Sequence, residues 1–250
     1  MRVAAETISL TDLAAAPQPA ILHRSALGGR RPGVVIGPGG LQKGDPAGLS
    51  WLGERLAAAG YNAIVITYRA TFAIDDPQDY ALGLGRLTTE TETDPARVFL
   101  VGHSRGGMGA LRTAALDQRF AGVVAWGAPS TFKREVESVE AYAAARYARL
   151  CQWVGGTPAQ VPDVYETVQA ITYADRIKQS VYLLHGAADL HAPPEASKAM
   201  AAALTAAGNT DVTLEVLPEY GHYWERHFKP HDFDGIAART IAWLDARSGG

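Results

Sequence analysis

Short apolar runs alternate with longer amphipathic stretches along most of this chain. Runs at about 4–10, 20–26, 33–37, 62–68, 97–102, 121–126, 180–185 and 212–217 predict strands. Stretches with helical periodicity at 46–59, 78–90, 106–117, 194–207 and 232–247 separate them. Ala57-Ala58-Ala59-Gly60 reads as a helix end closed by glycine, and Asp94-Pro95 as a turn. Strand alternating with helix predicts an α/β fold, a mostly parallel sheet of eight strands flanked by helices on both faces. Segment 129–178 breaks the rhythm. Two helices are expected there, at 133–150 and about 163–171, decorated by Tyr142, Tyr147, Trp153, Tyr165 and Tyr173. Residues 1–250 read as a single domain, with 129–178 as an insertion.

Composition narrows the options. A chain of 250 residues that is 47% hydrophobic suffices for one large core. The net charge of −3 and the absence of a long basic run imply no nucleic-acid partner. Cys151 is the single cysteine, so no intramolecular disulfide can form. Without a C-x-x-C pair or an H-E-x-x-H cluster, a zinc ion has no obvious ligands, and no cofactor is expected. Glu6 and Asp12 interrupt the first apolar stretch, which therefore does not read as a secretory signal. No apolar run is long enough to span a bilayer. The expected setting is cytoplasmic, away from membranes.

The chemistry concentrates in Gly102-His103-Ser104-Arg105-Gly106. An apolar strand precedes this G-x-S-x-G and a helix follows it, which is the context a nucleophile elbow requires. A serine hydroxyl is a weak nucleophile, so it needs a base, and the base needs an orienting acid. Downstream, Asp189 sits just past the strand ending in His185-Gly186, and His222 lies in the loop after the strand 212–217. Three strand ends on one edge of a parallel sheet would bring Ser104, Asp189 and His222 together.

Gly-His-Ser-Arg-Gly-Gly at 102–107, His-Gly-Ala-Ala-Asp at 185–189 and Gly-His at 221–222 resemble the α/β-hydrolase superfamily. Within it they are most similar to the branch holding the prolyl oligopeptidase catalytic domain and the dienelactone-hydrolase-like esterases. The resemblance runs from about Arg31 to Leu244. It implies an α/β-hydrolase fold with a small helical cap at about 129–178. It also implies Ser104 as nucleophile, His222 as general base and Asp189 as the acid.

Competitors exist for each role. Asp175 and Asp211 would lie at the wrong end of a strand or in the cap. Among the histidines, His23 is too early, His103 points away from the serine's path, His185 reads as a structural hydrogen-bonder, and His191 follows Asp189 too closely. His227 and His231 are the serious alternatives. For the oxyanion hole, one donor is expected from the backbone N–H of Arg105. The second is expected from Gly40 or Leu41, in the glycine-rich loop Pro38-Gly39-Gly40-Leu41. Relatives often carry His-Gly or Gly-Gly here, and Pro38 replaces that histidine. Tyr68-Arg69-Ala70-Thr71 likewise departs from the Arg-Gly-Ser stretch frequent in the prolyl oligopeptidase branch.

The expectation is thus a serine hydrolase, carboxylesterase-like, acting on a small or medium ester through an acyl-enzyme. A peptidase or amidase on short peptides is the alternative, although the chain has no room for the gating propeller those enzymes usually carry. Acyl transfer to an acceptor other than water and a catalytically silent ligand-binding scaffold are further readings. The expected partner is a small-molecule ester or amide. Arg134, Arg146 and Arg149 could meet an acidic substrate, but a solvated helix face is the simpler reading.

Overall fold

A computed structural model of the protein describes residues 5–12, 15–69, 71–226 and 229–249. The described residues form one eight-stranded sheet. Its strands are β1 (Ala5–Asp12), β2 (Ala15–His23), β3 (Arg31–Gly37), β4 (Asn62–Val65), β5 (Thr93–His103), β6 (Gly122–Trp126), β7 (Ser180–Gly186) and β8 (Val212–Leu217). The spatial order is β1-β2-β4-β3-β5-β6-β7-β8. β2 is antiparallel to both of its neighbours, and every pairing from β4 through β8 is parallel.

The apolar runs are continuous because both faces of the sheet are covered. Val35, Leu100, Ala125 and Leu183 join one core cluster, whereas Val34, Val101, Val124 and Leu184 join the other. That alternation is the period of two along a strand. On the first face lie α2 (Asp76–Glu90), α3 (Arg105–Leu116) and α7 (Glu195–Ala206), through Leu84, Leu111 and Met200. On the second lie α1 (Ser50–Ala58) and α8 (Phe233–Ser248), through Leu52, Leu56, Ile236 and Leu244. Each such side chain contributes roughly 1.5–3 kcal/mol by leaving water.

Several elements differ from the sequence expectation, each for a physical reason. β2 begins at Ala15 rather than near 20 and ends at His23. Only Ile21–His23 pair with β4, so Pro17 and Pro19 sit where β1 is the sole neighbour and a missing N–H is tolerated. β4 stops at Val65 rather than running to 68. There the chain turns to follow the loop after β3, with the Tyr68 N–H donating to the Lys43 carbonyl at 2.8 Å. The first expected helix opens as a 3₁₀ turn over Pro46–Leu49, capped by Asp45, before α1.

Between β6 and β7 the expected helix 133–150 is two helices, α4 (Phe132–Glu140) and α5 (Ala144–Val154). The break at Ala143 lets α4 bury Val136 and Val139 while α5 buries Leu150, Cys151 and Val154 from a different direction. The second helix is α6 (Pro162–Val168), followed by a 3₁₀ segment over Ala170–Arg176. Among the described residues, no helix is long and apolar enough to cross a membrane.

Candidate active site

The carboxyl ends of the central parallel strands share one edge, since Gly37 pairs with Gly102, His103 with Trp126, and Gly186 with Leu217. Ser104 follows β5 directly and has φ 56° and ψ −119°, an unfavourable conformation for a residue with a Cβ. Such a backbone costs about 1–3 kcal/mol, so its surroundings must impose it. Here the Ser104 N–H donates to the Trp126 carbonyl at 2.7 Å, and its carbonyl accepts from Met108 in α3. A Cβ on Gly102 would overlap the backbone of Gly106, which is why strand and helix can meet so closely.

Asp189 lies in the turn after β7, and His222 in the loop after β8. The Nδ1–H of His222 donates to Asp189 Oδ2 at 2.6 Å. Both side chains are almost wholly buried. The other carboxylate oxygen accepts the backbone N–H groups of His191 and Ala192, each at 2.8 Å. His185 Nε2 approaches Oδ2 at 3.2 Å. Burial opposes the charge on Asp189, but the hydrogen bonds from His185 and His222 outweigh it and hold the carboxyl well below the usual range. Gly127, with φ 51°, backs the pair, and a Cβ there would lie 3.3 Å from both Asp189 Oδ2 and His222 Nδ1.

Ser104 and His222 line one cavity of about 210 Å³, together with Gly40, Leu41 and Arg105. Gly40 has φ 109°, a conformation open to glycine, and the neighbouring Gly39 brings its backbone close to Ser104. The structure thus gathers the six residues singled out in the sequence around the Ser104 end of the sheet. Three competing histidines, His103, His185 and His191, stand beside the His222–Asp189 pair, and three other competitors are engaged elsewhere. Asp211 pairs with Arg247 and accepts from Ser180 at the start of β7. His231 is exposed, with Nδ1 bonded to the Tyr223 carbonyl. His23 is buried beside Ser50. His227 lies outside the described residues.

Phe132, Val136, Val139, Leu150 and Trp153, from α4 and α5, form much of the cavity wall. Of the aromatics in this segment, Tyr142 and Trp153 face the cavity, while Tyr165 is buried in packing with its hydroxyl on the Gly156 carbonyl. Arg146 and Arg149 border the cavity too, with Arg149 exposed and Arg146 half-buried. The Arg146 guanidinium reaches the carbonyls of Leu190 and His191, tying α5 to the loop after Asp189.

Sequence reasoning missed Glu135. Its carboxyl is surrounded by protein yet touches the cavity, and Thr131 Oγ1 donates to it at 3.0 Å. Burial pushes its pKa up to about 8. An amphipathic helix with one more acidic residue carries no signal for this. Among the described residues, no group of three or more His, Cys, Asp or Glu side chains is placed to hold a metal ion.

The chain is similar to known proteins in family and in fold. The Prolyl oligopeptidase family matches residues 54–249. Cutinase 2 of Thermobifida cellulosilytica is 34% identical over 92 residues, covering 33% of this chain and 34% of the cutinase. The chain therefore spans about a third of the length of the curated relatives it matches. Pyrococcus horikoshii acylaminoacyl peptidase superimposes with a TM-score of 0.81 at 15% identity, over 99% of this chain and 42% of that one. A Pyrococcus furiosus esterase does so with a TM-score of 0.76 at 16% identity, over 99% and 92% of the two chains. At such identities the structural likeness shows the fold alone, the α/β-hydrolase fold. With about four-fifths of its length matched by the family, this chain belongs to the prolyl oligopeptidase family.

Proposed function

We propose that the chain is a serine hydrolase that cleaves a carboxylic ester of small or medium size. The observation that carries this reading is His222, bonded to Asp189 at 2.6 Å, lining one cavity with a strained, elbow-borne Ser104. Ser104 Oγ attacks the ester carbonyl while His222 Nε2 takes its proton, and Asp189 stabilises the imidazolium. The oxyanion is met by the N–H of Arg105 and that of Gly40 or Leu41. His222 then returns the proton to the departing alcohol. Water, deprotonated by His222, attacks the acyl-enzyme, and collapse frees the acid and Ser104.

A largely apolar cavity of about 210 Å³ favours a modest acyl or alcohol group. In this reading α4, α5 and α6 form a cap over a single domain. The partner is a small molecule, without nucleic acid, membrane or cofactor, in the cytoplasm. Membership of a family named for a peptidase favours a second reading, hydrolysis of a short peptide or amide at the same serine.

Turnover of p-nitrophenyl esters of graded acyl length, set against short peptide anilides, separates these readings. Ester turnover that vanishes in Ser104→Ala supports the first. Anilide turnover without ester turnover supports the second. A folded protein that turns over neither is a silent scaffold.

A further inference from the structure

We propose that His103 is a positioning residue that fixes the general base relative to the nucleophile by gripping the main chain of His222. This rests on the serine-hydrolase reading. His103 is the residue before Ser104, at the end of β5. Instead of merely pointing away from the serine's path, its ring lies against the base. Its Nε2 is 2.8 Å from the His222 backbone carbonyl. A carbonyl only accepts, so Nε2 carries the proton and Nδ1 does not. The two imidazole centroids are 4.8 Å apart.

Four observations make this contact more than packing. His103 is buried, so its N–H cannot exchange the His222 carbonyl for water without loss. The Tyr223 and Trp224 rings stand 5.7 and 6.2 Å from the His103 ring and close the site beside it. Trp224 has φ 63°, so the base loop holds a backbone shape that a non-glycine residue rarely adopts. Among the described residues, no other side chain donates to the His222 carbonyl. One residue thus links the strained elbow to the strained base loop, and the link is directly adjacent to Ser104 in the chain.

The ring is also suited to stay neutral. Burial, and then the nearby His222, push the His103 pKa down to about 3. During turnover the proton from Ser104 therefore stays on His222, and His103 keeps its donor throughout. His185 serves the acid differently, with its ring held between Ser197 Oγ and the Ala192 carbonyl.

The test compares His103→Phe, which keeps a ring and loses the donor, with His103→Gln, which restores an N–H donor. With the best p-nitrophenyl ester, His103→Phe should lower kcat by on the order of 10²-fold, with KM within about twofold. His103→Gln should recover most of kcat. Equal losses in both variants, or wild-type kcat in His103→Phe, overturn the proposal. Nitrogen-15 NMR of the unaltered protein gives a measurement independent of folding in either variant and of any turnover. His103 should remain the neutral Nε2–H tautomer across the active pH range. A His103 that titrates there, or carries its proton on Nδ1, overturns the proposal even if ester hydrolysis is confirmed.

Discussion

Arg105 and Asp76 form a two-point ion pair beneath the strand-to-helix turn at Ser104, with Arg105 Nε on Asp76 Oδ2 at 3.0 Å and the second nitrogen on Oδ1 at 2.6 Å. Both side chains are almost fully buried. The guanidinium lies over the Tyr68 ring at 4.3 Å and also meets the Gln42 carbonyl. The residue whose N–H is assigned to the oxyanion is therefore anchored through its side chain to the start of α2.

Removing Asp76 leaves a buried, uncompensated guanidinium. Asp76→Ala should cost about 3–5 kcal/mol of stability in urea unfolding. Arg105→Met with Asp76→Leu should cost less than Asp76→Ala alone, because no charge remains buried. An Asp76→Ala loss under about 1 kcal/mol would mean that water reaches the pair, as it does for exposed bridges.

Gly106 is a steric requirement. A Cβ there would overlap the Gly37 carbonyl, a backbone atom that cannot swing aside. The Gly106 carbonyl also accepts the Tyr80 hydroxyl at 2.7 Å. Gly106→Ala should lower stability by about 1–3 kcal/mol or more and abolish turnover, whereas Gly85→Ala, in open space on α2, should keep both. Circular dichroism melts and ester assays on the two variants check this.

Much of this site was legible in the sequence because its chemistry is tied to short local patterns. Strand, G-x-S-x-G and helix together define the elbow around Ser104, and Asp189 and His222 each stand just past an apolar strand. What the sequence hid depends on tertiary contact. Nothing near Asp76 marks it as the partner of Arg105, 29 residues away. The helix break at Ala143 lies in an alanine-rich stretch with no glycine or proline, so only the competing burial of α4 and α5 reveals it. The prolines of β2 hid the first half of that strand, because the tolerance of Pro17 and Pro19 depends on which side β4 lies.

Glu135 gives the protein a pH dependence with a definite sign. Unfolded, its carboxyl titrates near the ordinary glutamate value of about 4.3, and burial raises the folded value to about 8. Between these values the folded state binds the proton and the unfolded state does not, so stability falls as pH rises through the window. Glu135→Gln should therefore gain on the wild type as pH goes from 5 to 8.5. Thermal midpoints at matched pH measure the gap, and a constant gap would show that the carboxyl ionises normally.

Filling the cavity should shorten the accepted acyl chain. Val136 lies in its wall, and Val136→Phe adds bulk there. Each methylene that can no longer be buried forfeits about 0.8 kcal/mol, close to fourfold in kcat/KM. Long acyl esters should lose several-fold more than acetate esters. A uniform loss across chain lengths would place the acyl group elsewhere.

The central claim is that Ser104 becomes acylated with His222 as its base. Intact-mass spectrometry after treatment with a fluorophosphonate tests it most directly. The account predicts one adduct on the wild type, mapped to Ser104, no adduct on Ser104→Ala, and strongly slowed labelling of His222→Ala. Labelling of Ser104→Ala at the wild-type rate, or ester turnover by a folded wild type that forms no adduct at Ser104, would contradict it.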